Sequence, residues 1–175
     1  MNETQDTISE WAVKTFGPAG TVSSVTVRAM KELVELMGEL ANPGDVDHHR
    51  VCDECADVVI VLTRAAKRLG YDIFTEMEAE RRFINHEQSS IMHVIVAMDR
   101  MNALLRQCTR ERRIAPGDER WLLGSIAAEL EEVCTRHGGS LRTCIDAKMA
   151  INRGRVWRLD GRGHGQHVDV AASNG

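Results

Sequence analysis

The chain has 175 residues, of which 43% are hydrophobic and 27% charged, and its formal net charge is −4. That supplies a core for one compact domain or two small repeats, and the acidic balance excludes a basic nucleic-acid scaffold. No apolar run approaches the roughly 20 residues needed to cross a bilayer, so no membrane partner is expected.

Aromatic residues make up only 4%, while Met, Leu, Ala and Val are plentiful, which favours helix-on-helix packing and an all-α fold. Helical periodicity predicts helices over 4–15, 21–41, 46–69, 73–87, 89–111, 117–137 and 141–158. Between them lie the breaks FGPAG, NPGD, LGYD, APGD, HGGS and DGRGHG. Asp118 and Ser140 stand where N-caps are expected, and no segment alternates as a strand. The expected organisation is an N-terminal arm over 1–20, a helical domain over 21–158 and a Gly-rich flexible tail over 159–175. A shift of 68 residues brings RAMKELVEL (28–36) onto VAMDRMNAL (96–104) and LGYDIFTEMEAE (69–80) onto HGGSLRTCIDAK (137–148). This suggests a tandem duplication, with units over 21–87 and 89–158 packed as an internal pseudo-dimer.

On the second helix Glu32 and Glu35 are neighbours at i, i+3 and Glu39 joins them at i+7. Met30, Leu33, Val34, Met37 and Leu40 form the apolar stripe opposite, so these glutamates also suit a solvated face. The third helix is harder to explain in that way. Its apolar arc is Val58, Leu62, Ala65 and Leu69, flanked by Val51, Cys55, Val59 and Val61, and Glu54 lies inside the edge of that arc with Asp57 one step round. A carboxylate on a packing face needs a partner. It is either a basic side chain, with Arg64 and Arg68 nearby, or a hard divalent cation held by oxygens from two facing helices.

Glu32-x-x-Glu35, eighteen residues, then Glu54-x-x-Asp57 resembles the signature of the MazG-like all-α nucleoside triphosphate pyrophosphohydrolases. That superfamily also holds the dimeric dUTPases and the phosphoribosyl-ATP pyrophosphohydrolases. The segment DAKMAINRGRVW (146–157) is similar to the end of phage and bacterial MazG-like domains. The resemblance implies cleavage of a (d)NTP between the α- and β-phosphates, with Mg²⁺ or Mn²⁺ as cofactor and Glu32, Glu35, Glu54 and Asp57 as metal ligands. Glu32 or Glu35 would orient the attacking water. Many members carry a further glutamate before the first motif residue. Here Lys31 stands in its place, among the expected substrate-binding residues, and leaves the general base open.

Lys148, Asn152 and Arg155 share a helix face at i, i+4 and i+7. They either complement the helix dipole or clamp a triphosphate, and the resemblance assigns them the clamp. Under the 68-residue shift Glu32, Glu35, Glu54 and Asp57 fall on Arg100, Ala103, Leu122 and Ser125, while Lys148 and Asn152 fall back on Glu80 and Ile84. The units are thus expected to complement each other in one composite site. Trp11 and Phe16 either stack on a base or staple the first helix.

His48, His49, Cys52 and Cys55, with His164 and His167, have the residue types of a zinc site but no second CxxC. Packing is the simpler role for Cys55, and Cys108, Cys134 and Cys144 read as helix-core residues. The five unevenly spaced cysteines do not form a secreted disulfide framework, and the polar start MNETQDTISEWAVK lacks the regions of a signal peptide. The cytoplasm is therefore the expected location. The glycine-rich DGRGHGQHV is a disordered end or a lid. Similarity to phage-encoded MazZ-type enzymes favours a purine, dGTP or GTP, with dUTP, dCTP or a damaged nucleotide as alternatives and a homo-oligomer, dimer or tetramer, as the assembly. The competing expectation is a non-catalytic helical oligomerisation or binding module.

Overall fold

A computed structural model of the chain describes residues 2–42, 44, 46–109, 118–159 and 165–168. Among them are seven α-helices: α1 (Gln5–Phe16), α2 (Val22–Leu40), α3 (His48–Leu69), α4 (Ile73–Glu80), α5 (Ser90–Thr109), α6 (Asp118–Arg136) and α7 (Leu141–Gly154). A 3₁₀ turn at Arg81–Phe83 follows α4, and strands β1 (Trp157–Leu159) and β2 (Gly165–His167) pair antiparallel.

Local chemistry starts these helices. Thr4 and Thr7 form a reciprocal capping box on α1. Thr21, Asp47, Asp72 and Ser140 accept first-turn N–H groups of α2, α3, α4 and α7, satisfying donors that the helix cannot. Asp118, an expected N-cap, is instead the first residue of α6; the preceding APG and residues 110–111 of the expected fifth helix lie outside the described residues.

Three boundaries differ from expectation. The fourth helix tightens after Glu80 into the 3₁₀ turn and ends where Ile84 turns extended; beyond it Asn85 Oδ1 accepts the Glu87 N–H at 3.1 Å, a local bond that competes with further helix. The seventh ends at Gly154, where Arg155 turns extended; the Asn152 carbonyl accepts both the Arg155 N–H at 3.4 Å and Trp157 Nε1–H at 3.1 Å. The chain then forms a strand where none was expected. Part of the expected flexible tail, Gly165–His167, is β2; residues 160–164 and 169–175 lie outside the described residues.

α3 is the hub. It packs against α1, α2, α6 and α7, so it is buried almost all round, from Val51 through Ala66. α2 lies between α3 and α5, which widens its buried arc beyond the expected stripe. Ala29, Leu33 and Leu36 are fully buried, Val34 is exposed, and Glu32, expected opposite the stripe, is only 4% exposed. The core continues through Met101, Leu104, Ile126 and Leu130. Near the N-terminus Gln5 holds the α3–α4 junction, donating to Tyr71 O at 2.6 Å and accepting from Ile73 N at 2.9 Å, and Glu3 pairs with Arg153 of α7 at 2.9 Å.

α4 packs on α6 as α7 packs on α3. The α4–α6 contact is closest at Gly124, where an added Cβ would stand 2.7 Å from the Glu76 carbonyl oxygen and 2.8 Å from its carbon. Backbone on the opposing side cannot yield as a flexible side chain does. Gly124→Ala is therefore expected to destabilise the fold by about 1–3 kcal/mol despite the better helix propensity of alanine. Urea denaturation measures this, and an unchanged midpoint would contradict so close a crossing.

Candidate functional site

α2 and α3 form one wall of a cleft, α7 a second, and α1 with the β-ribbon closes an end. The cleft encloses about 550 Å³ and is lined by Glu32, Glu35, Glu54 and Asp57, by Lys31, Lys148, Asn152 and Arg155, and by Trp11. The nine residues expected from the sequence to bind metal or substrate thus line one space.

They do not all play one part in it. Oxygens of Glu32, Glu54 and Asp57 lie within 4.8 Å of one another. Glu35 lines the cleft outside this tight group and accepts from Lys31 Nζ at 2.5 Å. Glu39 is turned away into an ion pair with Arg50 at 2.6 Å. Arg64 and Arg68, considered as partners for Glu54, donate instead to the carbonyls of Gly17 and Ala19 at 2.8 and 3.2 Å. Asp57 takes its cation from α7: Lys148 Nζ lies 2.7 Å from Asp57 and 3.7 Å from Asp53. Glu54 Oε2 is buried with no hydrogen-bond partner among the described residues.

The electrostatics follow from that shortage of cations. Burial pushes the Glu32 carboxyl from 4.5 up to about 7, opposed by Arg28 at 2.6 Å and reinforced by Glu35 and Asp57. Glu54 and Asp57 are also raised, chiefly by burial, with Lys148 opposing in both. Glu35 is lowered, first by its hydrogen bond from Lys31. Burial lowers Lys148, but Asp57, Asp53 and Glu54 outweigh it and the net shift is upward. Charge repulsion of this kind is relieved by protons or by a cation.

Opposite the acids, Asn152 is buried and Arg155 Nη1 donates to its Oδ1 at 3.1 Å. The far end is aromatic. Trp11, Phe16 and Trp157 meet edge-to-face, with centroids 5.3, 6.0 and 5.0 Å apart for Trp11–Phe16, Trp11–Trp157 and Phe16–Trp157. Gly165 of β2 presses on this cluster so closely that a Cβ there would lie 2.9 Å from Phe16 Cε1. Arg28, Asp53, Trp157 and Gly165 escaped the sequence reading. Arg28 was legible as the i−4 partner of Glu32; Trp157 and Gly165 enter only because the chain reverses after Gly154.

The arrangement joins a hard-oxygen donor set, a row of cationic and amide side chains of the kind that can bind an anion, and a ring-sized apolar wall. The three close carboxylates suit Mg²⁺ or Mn²⁺, and the Glu54 oxygen that accepts no hydrogen bond among the described residues has lone pairs left for such an ion. No family model, curated protein or solved structure matches the chain significantly.

The raised Glu32 group has a testable sign. Its proton is held more tightly in the folded state, so its contribution to stability is full below the unfolded value near 4.5 and is lost as pH rises through about 7. In metal-free solution Glu32→Gln should therefore be more stable than wild type by about 1–3 kcal/mol near pH 8, with the gap closing toward pH 5. Denaturant titrations across that range test it; a variant less stable than wild type at the alkaline end would contradict the burial of an uncompensated carboxylate.

Proposed function

We propose that the chain is a metal-dependent nucleoside triphosphate pyrophosphohydrolase with a MazG-like helical bundle, cleaving (d)NTP to (d)NMP and pyrophosphate. The observation that carries this is the convergence of Glu32, Glu35, Glu54 and Asp57 with Lys148, Asn152 and Arg155 in one cleft. The two sets stand more than ninety positions apart in the sequence, and both belong to the motifs that resemble that superfamily. The cleft volume lies within the range of small-molecule sites.

Glu32, Glu54 and Asp57 would hold Mg²⁺ or Mn²⁺, which would neutralise charge on the phosphoryl oxygens and acidify water. Lys148, Asn152 and Arg155 bind the phosphate chain, Lys148 exchanging Asp57 for phosphate oxygens. Glu35, kept ionised by Lys31, is the carboxylate left to orient the attacking water and accept its proton. Trp11, Phe16 and Trp157 supply faces and edges for the base, favouring a purine, dGTP or GTP.

We further propose an internal duplication. α2 and α5 start at Val22 and Ser90, and α4 and α7 at Ile73 and Leu141, in each case at the 68-residue offset of the sequence. The reciprocal packing of α4 on α6 and α7 on α3 suits two units that exchange their last helix. Only one composite site then survives: Arg100, the counterpart of Glu32, is neutralised by Glu129 at 2.5 Å. Exposed Val27, Val34, Ile91, Met92 and Ile95 on α2 and α5 support assembly into a homo-oligomer.

The test is incubation with each (d)NTP and Mg²⁺ or Mn²⁺, with products separated by ion exchange. Monophosphate plus pyrophosphate is expected, with dGTP or GTP preferred and turnover reduced roughly 100-fold or more in Glu54→Gln. Preference for dUTP or dCTP would move the base assignment. Diphosphate plus orthophosphate would reject α–β cleavage, and no turnover of any nucleotide would leave a helical binding module.

A further inference from the structure

On the far side of α3 from the cleft, three cysteines from three helices meet. The Sγ atoms of Cys52 (α3), Cys134 (α6) and Cys144 (α7) all lie within 4.8 Å of one another. Cys52 is 6% exposed, Cys134 is fully buried and Cys144 is half-buried. The Cys134 thiol also meets that of Cys55, one turn along α3 and itself fully buried. The loop between α6 and α7 is shaped around this group. Gly138 takes a positive φ of 78°, and a Cβ on Gly139 would stand 3.0 Å from Cys52 Sγ and 3.4 Å from Cys144 Sγ. The Gly139 N–H is spent on the Cys134 carbonyl at 2.9 Å, so the backbone hugs the sulfurs without offering them a donor.

Three thiols within 4.8 Å of one another, with Cys55 beside Cys134 as a fourth, are more than small apolar packing requires. A tetrahedral zinc ion with Zn–S bonds of about 2.3 Å sets its sulfurs about 3.8 Å apart, a contraction the half-buried Cys144 can follow. The histidines of the HHRVCDEC stretch take no part. His48 pairs with His137 through their Nδ1 atoms at 2.7 Å, and His49 is exposed beside Asp53. His164 lies outside the described residues, and His167 belongs to β2.

We propose that Cys52, Cys134 and Cys144, with Cys55 as fourth donor, form a structural binding site for a thiophilic divalent cation, Zn²⁺. Each thiol loses its proton to solvent on binding and no redox step is involved. The site is separate from the carboxylate cleft and holds whether or not that cleft hydrolyses nucleotides. It staples α3 to α6 and α7, and Cys144 lies one turn before Lys148, so the ion fixes the helix that carries the cleft's cation.

The experiment is a Co²⁺ titration of the whole, fully reduced, metal-stripped chain followed by absorption spectroscopy. Expected are a thiolate-to-cobalt charge-transfer band and intense tetrahedral d–d bands saturating at one equivalent and abolished by one equivalent of Zn²⁺. Cobalt on the carboxylates gives neither feature, so Glu54→Gln should leave the bands intact, as should Cys108→Ser on α5. Cys144→Ser should remove the charge-transfer intensity by about a quarter or more and weaken Zn²⁺ at least tenfold. Should that variant fail to fold, Zn²⁺ protection of Cys52 and Cys144 from alkylation in the wild type, read by peptide mapping, carries the same test. Absence of thiolate bands in reduced protein, or alkylation unaffected by Zn²⁺, would overturn the site. So would a metal-free product in which Cys144 is found oxidised to Cys52 or Cys134.

Discussion

Gathering the carboxyl groups of Glu32, Glu54 and Asp57 within 4.8 Å, partly out of water, is the constraint to which the rest of the cleft answers. Repulsion and desolvation both act against the ionised forms. Among the described residues Arg28 pairs with Glu32 and Lys148 with Asp57, while a Glu54 oxygen has no hydrogen-bond partner. Structures that serve stability alone replace such groups or pair them fully. Retaining them makes sense when a divalent ion completes the set.

That constraint explains the architecture around it. α3 must be central, because it carries Glu54 and Asp57 on one side while its remaining surface fills the core. α7 must lie along α3, because Lys148 and Asn152 come from there. The N-terminal segment secures both neighbours, through Gln5 at the α3–α4 junction and Glu3 on Arg153. The proposed thiolate site acts at the same junction from the opposite face of α3. An oxygen-donor site and a sulfur-donor site on one helix select different ions by ligand softness, so neither needs to exclude the other's metal by geometry alone.

The seven helices were legible because their apolar periodicity and caps agree, as at Asp72 with Thr75 or Ser140 with Thr143. The acids were legible as i, i+3 pairs, and Lys148, Asn152 and Arg155 as one face. What stayed hidden depends on tertiary packing. The burial of Glu32 follows from α2 lying between two helices, which no single-helix stripe reveals. The choice of Lys148 over Arg64 as the partner of Asp57 reflects which helix lies across α3. The ribbon was missed because its strands are three residues each, too short for alternation to register. The cysteines read as core residues because Cys52, Cys134 and Cys144 come from three separate helices; their proximity is purely a property of the fold.

The central claim is that a hard cation, rather than protons or arginines, is the intended partner of the three carboxyls. It is tested most directly by calorimetric titration of Mn²⁺ into metal-free protein near pH 6.5, in two buffers of different ionisation enthalpy. A cation that displaces the proton held by Glu32 must release it to the buffer. The account predicts saturable binding with net proton release, which Glu32→Gln reduces and Cys144→Ser leaves unchanged. No Mn²⁺ binding, or binding without proton release that is indifferent to Glu32, would contradict it.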